Sequence, residues 1–148
     1  MRFVGLAALA FGCLAAGAAS GDPFPLTEGI LRHYEITYSD HVTNDVRFFL
    51  GTAEINSTTT HVLHYAGGDD NGLQQYWSQD AGGDVFFHGF DRPEVSAQYS
   101  PPILYIDVPL FVGKTWDTTT VSPFAIHFHF EVVAEEDVTV MLIGIDHT

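Results

Sequence analysis

Two adjacent prolines, Pro101 and Pro102, restrict the fold of this chain more than any other feature. Proline is incompatible with a helix interior and lacks the amide hydrogen that a sheet ladder needs, so the chain must enter this region extended. The following segment, Ile103–Val108, has the apolar composition of a short strand. Pro109 ends that strand or places it at a sheet edge, and Gly113 supplies a turn or bulge. The region therefore indicates strand packing and turns rather than catalysis.

Apolar and polar residues alternate in many other segments, with Gly, Pro, Asn and Asp between them. In Arg32–Ser39, for example, Tyr34, Ile36 and Tyr38 share one face, which is typical of a half-buried strand. The absence of a crossover helix predicts an all-β fold, a single antiparallel meander that forms a curved sheet, a half-barrel or a sandwich. Gly51, within the predicted strand Val46–Ile55, indicates a β-bulge. The nine predicted strands are Arg32–Ser39, Val46–Ile55, His61–Tyr65, Leu73–Gln79, Val85–Phe90, Ile103–Val108, Thr115–Val121, Phe124–Val133 and Val138–Ile145.

The first twenty residues have the pattern of a secretory signal peptide. Arg2 provides a positive start, Phe3–Leu14 is apolar, and small residues that suit a cleavage site follow. We therefore expect a signal peptide over 1–20, a single β domain over 21–148, and a secreted or periplasmic protein. Cys13 lies in a loose lipobox-like context, so an outer-membrane lipoprotein is the alternative, and we expect membrane contact only in that case.

The segment PPILYIDVPLFVGKTW, residues 101–116, resembles a region of uncharacterised bacterial secreted proteins and lipoproteins. In those proteins a double proline, an apolar strand, a Pro-Leu pair, a Val-Gly pair and a tryptophan occur in the same order. The resemblance implies export and a β-rich fold. It implies no activity and no functional residues.

The formal net charge of the 148 residues is -14. Such a surface repels phosphate backbones, which argues against nucleic acid as a partner and leaves a protein, a cation or an apolar ligand.

The chain ends three residues after the last predicted strand, Val138–Ile145. Either the sheet is complete there or the sequence is a C-terminally truncated fragment.

The segment AIHFHFEVV, residues 125–133, is the strongest indication of a chemical site in the sequence. On a strand, His127, His129 and Glu131 lie on the face opposite the phenylalanines, and neighbours two residues apart are close enough to bind one metal ion. One interpretation is a zinc or copper site. The other is a pair of exposed or partly buried histidines, with no cofactor. Glu131 is one candidate third ligand, and the candidates from other strands are His88, His61 and His64.

The same histidine pair resembles the ligand strands of cupins, α-carbonic anhydrases and copper-zinc superoxide dismutases, and the sequence departs from each. Val133 and Ala134 occupy the positions at which cupins have a glutamate. Val132 replaces the glycine or proline of the dismutases, and Phe130-Glu131 replaces the Trp-Gly of the carbonic anhydrases.

The remaining motifs favour structural roles over chemical ones. Gly67–Gly72 is oxygen-rich like a calcium loop, but Asn71-Gly72 between two strands favours a hairpin turn. The chain has no nucleophile elbow, no Gly-rich phosphate loop and no cysteine after Cys13, so no motif supports an enzyme.

Three functions stay open. The first is a non-catalytic exported β domain that acts by binding or by structural association at the cell envelope or outside the cell. The second is a metalloprotein or metalloenzyme that uses His127 and His129. The third is a carrier of an apolar ligand in a half-barrel lined by aromatic rings, for which the candidates are Phe86, Phe90 and Trp77.

Overall fold

The computed structural model describes residues 26, 28, 29 and 31–135, and these residues form eight strands and no helix. The predicted all-β class is therefore confirmed. The ninth predicted strand, Val138–Ile145, and the predicted signal peptide lie outside the described residues. None of the described residues belongs to a helix that could cross a membrane. The strands are β1 Arg32–Thr37, β2 Val42–Ile55, β3 Thr58–Ala66, β4 Gln74–Gln79, β5 Val85–Asp91, β6 Ser96–Ile106, β7 Thr115–Thr120 and β8 Ile126–Glu131.

The first six strands form an antiparallel meander in the order β1-β2-β3-β4-β5-β6, and this sheet does not close into a barrel. The last two strands form a separate hairpin beside β6. Side chains of β7 hold the hairpin to the edge of β6: Thr118 accepts a hydrogen bond from the Leu104 amide at 3.1 Å, and the Trp116 indole donates to the Leu104 carbonyl at 3.1 Å. The hairpin thus covers backbone groups that an open sheet edge would expose.

The core lies on one face of the six-stranded sheet. Trp77 is only 3% exposed, and its ring centroid lies 4.7 Å from that of Phe87 and 5.1 Å from that of Tyr105. Burial of each large apolar side chain contributes about 1.5–3 kcal/mol to the free energy of unfolding. The fully buried members of this core are Phe49, Leu63, Tyr65, Leu73, Trp77 and Val85.

The second strand begins earlier than predicted, at Val42 instead of Val46, because two of its polar residues are buried. Asp45 is 1% exposed, and its Oδ2 accepts a hydrogen bond from Arg47 at 3.1 Å. The Arg47 guanidinium lies 4.4 Å from the ring centroid of Tyr34 and 4.5 Å from that of Tyr65. The predicted start at Val46 was therefore wrong, because an ion pair compensates the buried carboxylate and lets the strand include Asp45.

A bulge interrupts the pairing of β2 with β3. Phe49 pairs with Leu63 and Thr52 pairs with His61, so two residues of β2 lie opposite one residue of β3. Gly51, at the bulge, has a φ of +143°, a value that favours glycine. The bulge predicted at Gly51 is confirmed.

The sixth strand begins at Ser96, whereas the sequence predicted a start at Ile103. Its pairing with β5 jumps from Gly89↔Gln98 to Phe87↔Ile103. The four residues 99–102 therefore have no partner in that ladder. The two prolines lie in this gap, so their missing amide hydrogens cost the ladder nothing and the strand can continue through them.

Candidate functional site

An open groove lies over one end of the core face, where β4 and β5 meet the start of β6. Its volume is about 300 Å³. Two aromatic rings of β5, Phe87 and Phe90, contribute to its lining, together with Tyr99 of β6. The other lining residues are Leu73, Gln75, Arg92 and Val95. The groove thus combines a mainly apolar lining with two polar side chains, the composition that small-molecule sites usually have.

A second bulge brings the two phenylalanines of the groove onto the same face. Phe87 and Phe90 are three residues apart, and in a regular strand such residues point to opposite faces. Here the pairing between β4 and β5 shifts between Trp77↔Phe87 and Tyr76↔Gly89, which leaves His88 as an extra residue. Both phenylalanines consequently pack against the same core.

The polar edge of the groove is formed by the tight turn Arg92–Val95 and by the side-chain amide of Gln75, which two core residues hold in place. Arg92 and Val95 close the turn with reciprocal backbone hydrogen bonds of 2.9 and 3.3 Å. The Arg92 guanidinium forms an ion pair with Asp70 from the β3–β4 connection. Gln75 Oε1 accepts hydrogen bonds from the Tyr65 hydroxyl at 3.0 Å and the Trp77 indole at 3.2 Å. Both polar side chains of the groove are therefore already bonded.

Of the three rings predicted to line a cavity, one lines this groove. Phe90 lines the groove, whereas Trp77 is buried in the core. Phe86 neighbours Phe87 along β5, and in the groove it is Phe87 that takes part. Strand alternation alone does not reveal the bulge at His88 or the depth of each ring, so the sequence pointed to Phe86 and Trp77 and not to Phe87. Tyr99 was missed because it lies in the unpaired part of β6.

The predicted histidine pair lies on the hairpin, away from the core. In β8 exposed and half-buried residues alternate, and His127, His129 and Glu131 are on the exposed face, as predicted. His127 Nε2 and His129 Nδ1 lie 2.9 and 3.0 Å from the same oxygen, Oδ1 of Asp117 on β7. Hydrogen bonding by His129, and to a smaller extent by His127, lowers the pKa of Asp117 below its ordinary value.

The candidate metal ligands from other strands belong to the six-stranded sheet. His88 is buried in β5, and its Nε2 lies 2.7 Å from the Ser78 hydroxyl. Burial lowers the pKa of this imidazole and so favours its neutral form. His61 and His64 lie on β3, where each has a buried Nδ1 that lacks a hydrogen-bond partner among the described residues.

In the described part of the chain no three or more His, Cys, Asp or Glu side chains are grouped so as to hold a metal ion. Zinc or copper binding through His127, His129 and Glu131 stays a prediction.

The oxygen-rich Gly67–Gly72 segment forms the connection between β3 and β4, which agrees with the hairpin interpretation. Asn71 Oδ1 accepts a hydrogen bond from the Gly67 amide at 2.8 Å and stabilises the turn. The two aspartates bind different partners: Asp69 lies 2.7 Å from His41 Nε2, and Asp70 pairs with Arg92. Asp69, and then Asp40, raises the pKa of His41. The carboxylates of Asp69 and Asp70 are therefore each bonded to another side chain.

The chain matches no family model, and comparisons with curated proteins and with solved structures also find no match. The resemblance of the Pro101–Trp116 segment to bacterial exported proteins accordingly stays a prediction.

Proposed function

We propose that this protein is an exported, non-catalytic β domain that acts by binding, and that its ligand is an apolar molecule held in the groove of Phe87, Phe90 and Tyr99. The observation that carries this proposal is the groove itself, about 300 Å³ in volume and lined mainly by apolar side chains. Gln75 and Phe90 belong to paired strands, and Arg92 and Val95 belong to a closed turn, so these walls are already formed before a ligand arrives. A preformed site avoids the entropic cost of ordering the chain on binding.

The proposed setting follows from the sequence. A signal-like N-terminus supports export to the periplasm or the medium, and Cys13 offers attachment to the outer membrane as an alternative. The acidic surface keeps such a protein soluble and disfavours nucleic acid. The function is then to hold or carry a poorly soluble molecule outside the cytoplasm.

Replacement of Phe90 by alanine should weaken the binding of a neutral fluorescent probe, N-phenyl-1-naphthylamine, by about tenfold. The ring contributes apolar contact area and an aromatic face, and loss of about 1.4 kcal/mol of such contacts corresponds to that factor. Fluorescence titration measures the change. Phe124→Ala is the matched control, because Phe124 is 65% exposed and lies in the turn of the β7–β8 hairpin, outside the groove.

A second variant separates loss of binding from loss of folding. Val95 lines the groove but is 53% exposed, so Val95→Asp should leave the melting temperature nearly unchanged. The charged carboxylate should still weaken probe binding, because a bound apolar molecule would strip water from it. Equal probe affinity in the wild-type protein, Phe90→Ala and Val95→Asp would show that the groove is not the binding site.

A further inference from the structure

We infer that the ligand of the groove is a small, uncharged aromatic molecule, an inference that rests on the binding function proposed above. The volume of about 300 Å³ lies at the lower end of ordinary ligand sites and suits a ligand of a few rings. Phe87 and Tyr99 have ring centroids 5.7 Å apart with an interplanar angle of 50°. Tilted rings at this separation offer both faces and edges to an aromatic guest.

The absence of charge on the ligand follows from the ion pair at the edge of the groove. Arg92 is the groove's cationic side chain, and Asp70 already binds it. An anionic ligand would compete with Asp70 for Arg92, and a cationic ligand would compete with Arg92 for Asp70. Either competition weakens an existing pair while the ligand loses its hydration on an apolar wall. A neutral molecule avoids this cost.

The surrounding charges further disfavour an anion. Glu94 is exposed in the same turn as Arg92, and the whole chain carries a formal net charge of -14. At low ionic strength such a field extends over tens of ångströms and lowers the local concentration of anions. The field does not act on a neutral molecule, so the selectivity should be greatest in dilute buffer.

Two probes with the same ring system test this inference. N-phenyl-1-naphthylamine is neutral, and 8-anilinonaphthalene-1-sulfonate adds one sulfonate group. In buffer of about 10 mM ionic strength we expect the neutral probe to bind about fivefold more tightly to the full chain. Equal or tighter binding of the sulfonate would overturn the inference. If Phe90→Ala still weakened both probes in that case, the binding function would stand and only the ligand class would be wrong.

The variant Asp70→Asn tests the role of the ion pair directly. Removal of the carboxylate frees Arg92, so the affinity for the sulfonate should rise at least about threefold while that for the neutral probe stays the same. Asp69→Asn is the matched control: it removes the same charge from the neighbouring position, where the partner is His41. An equal rise in sulfonate affinity in both variants would show that the change in net charge alone causes it. That result would overturn the assignment to Arg92. If neither probe binds to the wild-type protein, the proposed function itself fails.

Discussion

Replacement of Gly89 by alanine is expected to lower the free energy of unfolding by about 4 kcal/mol, as the sum of backbone strain and steric overlap. The φ of Gly89 is +143°, a conformation that side chains other than hydrogen rarely adopt. A Cβ atom at this position would lie 2.0 Å from the carbonyl oxygen of Ala97 on the neighbouring strand. Because the obstacle is backbone, it cannot move aside without breaking the pairing of β5 with β6.

Gly51 provides a control with a matching φ. Its φ is also +143°, but a Cβ atom built there has no neighbour within 4 Å. Gly51→Ala should therefore show the strain alone, about 1–2 kcal/mol. Urea unfolding of both variants measures the difference. Equal destabilisation would contradict the close approach of β5 and β6 beside the groove.

Replacement of Arg47 by alanine is expected to cost about 3–5 kcal/mol, because it leaves the carboxylate of Asp45 buried without its ion-pair partner. Asp45 is 1% exposed, and its Oδ1 already lacks a hydrogen-bond partner among the described residues. The variant also removes the guanidinium from between the rings of Tyr34 and Tyr65, which are both within 4.5 Å of it.

Two further variants show whether burial is the cause. Arg92→Ala breaks a comparable pair whose side chains are 45% and 30% exposed, and it should cost no more than about 1 kcal/mol. Addition of Asp45→Ala to Arg47→Ala should restore part of the lost stability, since no carboxylate then remains buried unpaired. Unfolding in urea gives all three values. If Arg47→Ala were no more destabilised than Arg92→Ala, the pair would not be buried as described.

The fold could be predicted because strand formation depends on local patterns. Alternation in segments such as Arg32–Ser39 located all eight described strands, and Gly51 indicated its bulge. The errors occurred where tertiary contacts override the local pattern. Thr43 and Asp45 are polar and precede the predicted strand start at Val46, yet β2 includes and buries both, and the Arg47 guanidinium forms an ion pair with Asp45.

The site was less predictable because it depends on register. Phe90 was identified, but its neighbours in the groove were not. The bulge at His88 places Phe87 in the groove, where regular alternation would place Phe86. Tyr99 lies in a part of β6 that the ladder skips, and although Pro101 and Pro102 mark this gap, they do not show that it extends to Tyr99. The His127 and His129 faces were predicted correctly because β8 is regular. Their contact with Asp117 required the pairing of β8 with β7, which a single sequence does not provide.

Nuclear Overhauser effects between bound N-phenyl-1-naphthylamine and the methyl groups of the protein test the central claim most directly. We predict contacts from the probe to Leu73 and Val95, the residues with methyl groups that line the groove. Val121 and Val133 serve as references because they are 67% and 76% exposed and lie on the hairpin side of the molecule. Contacts to these two valines, with none to Leu73 or Val95, would contradict the assignment of the groove as the binding site.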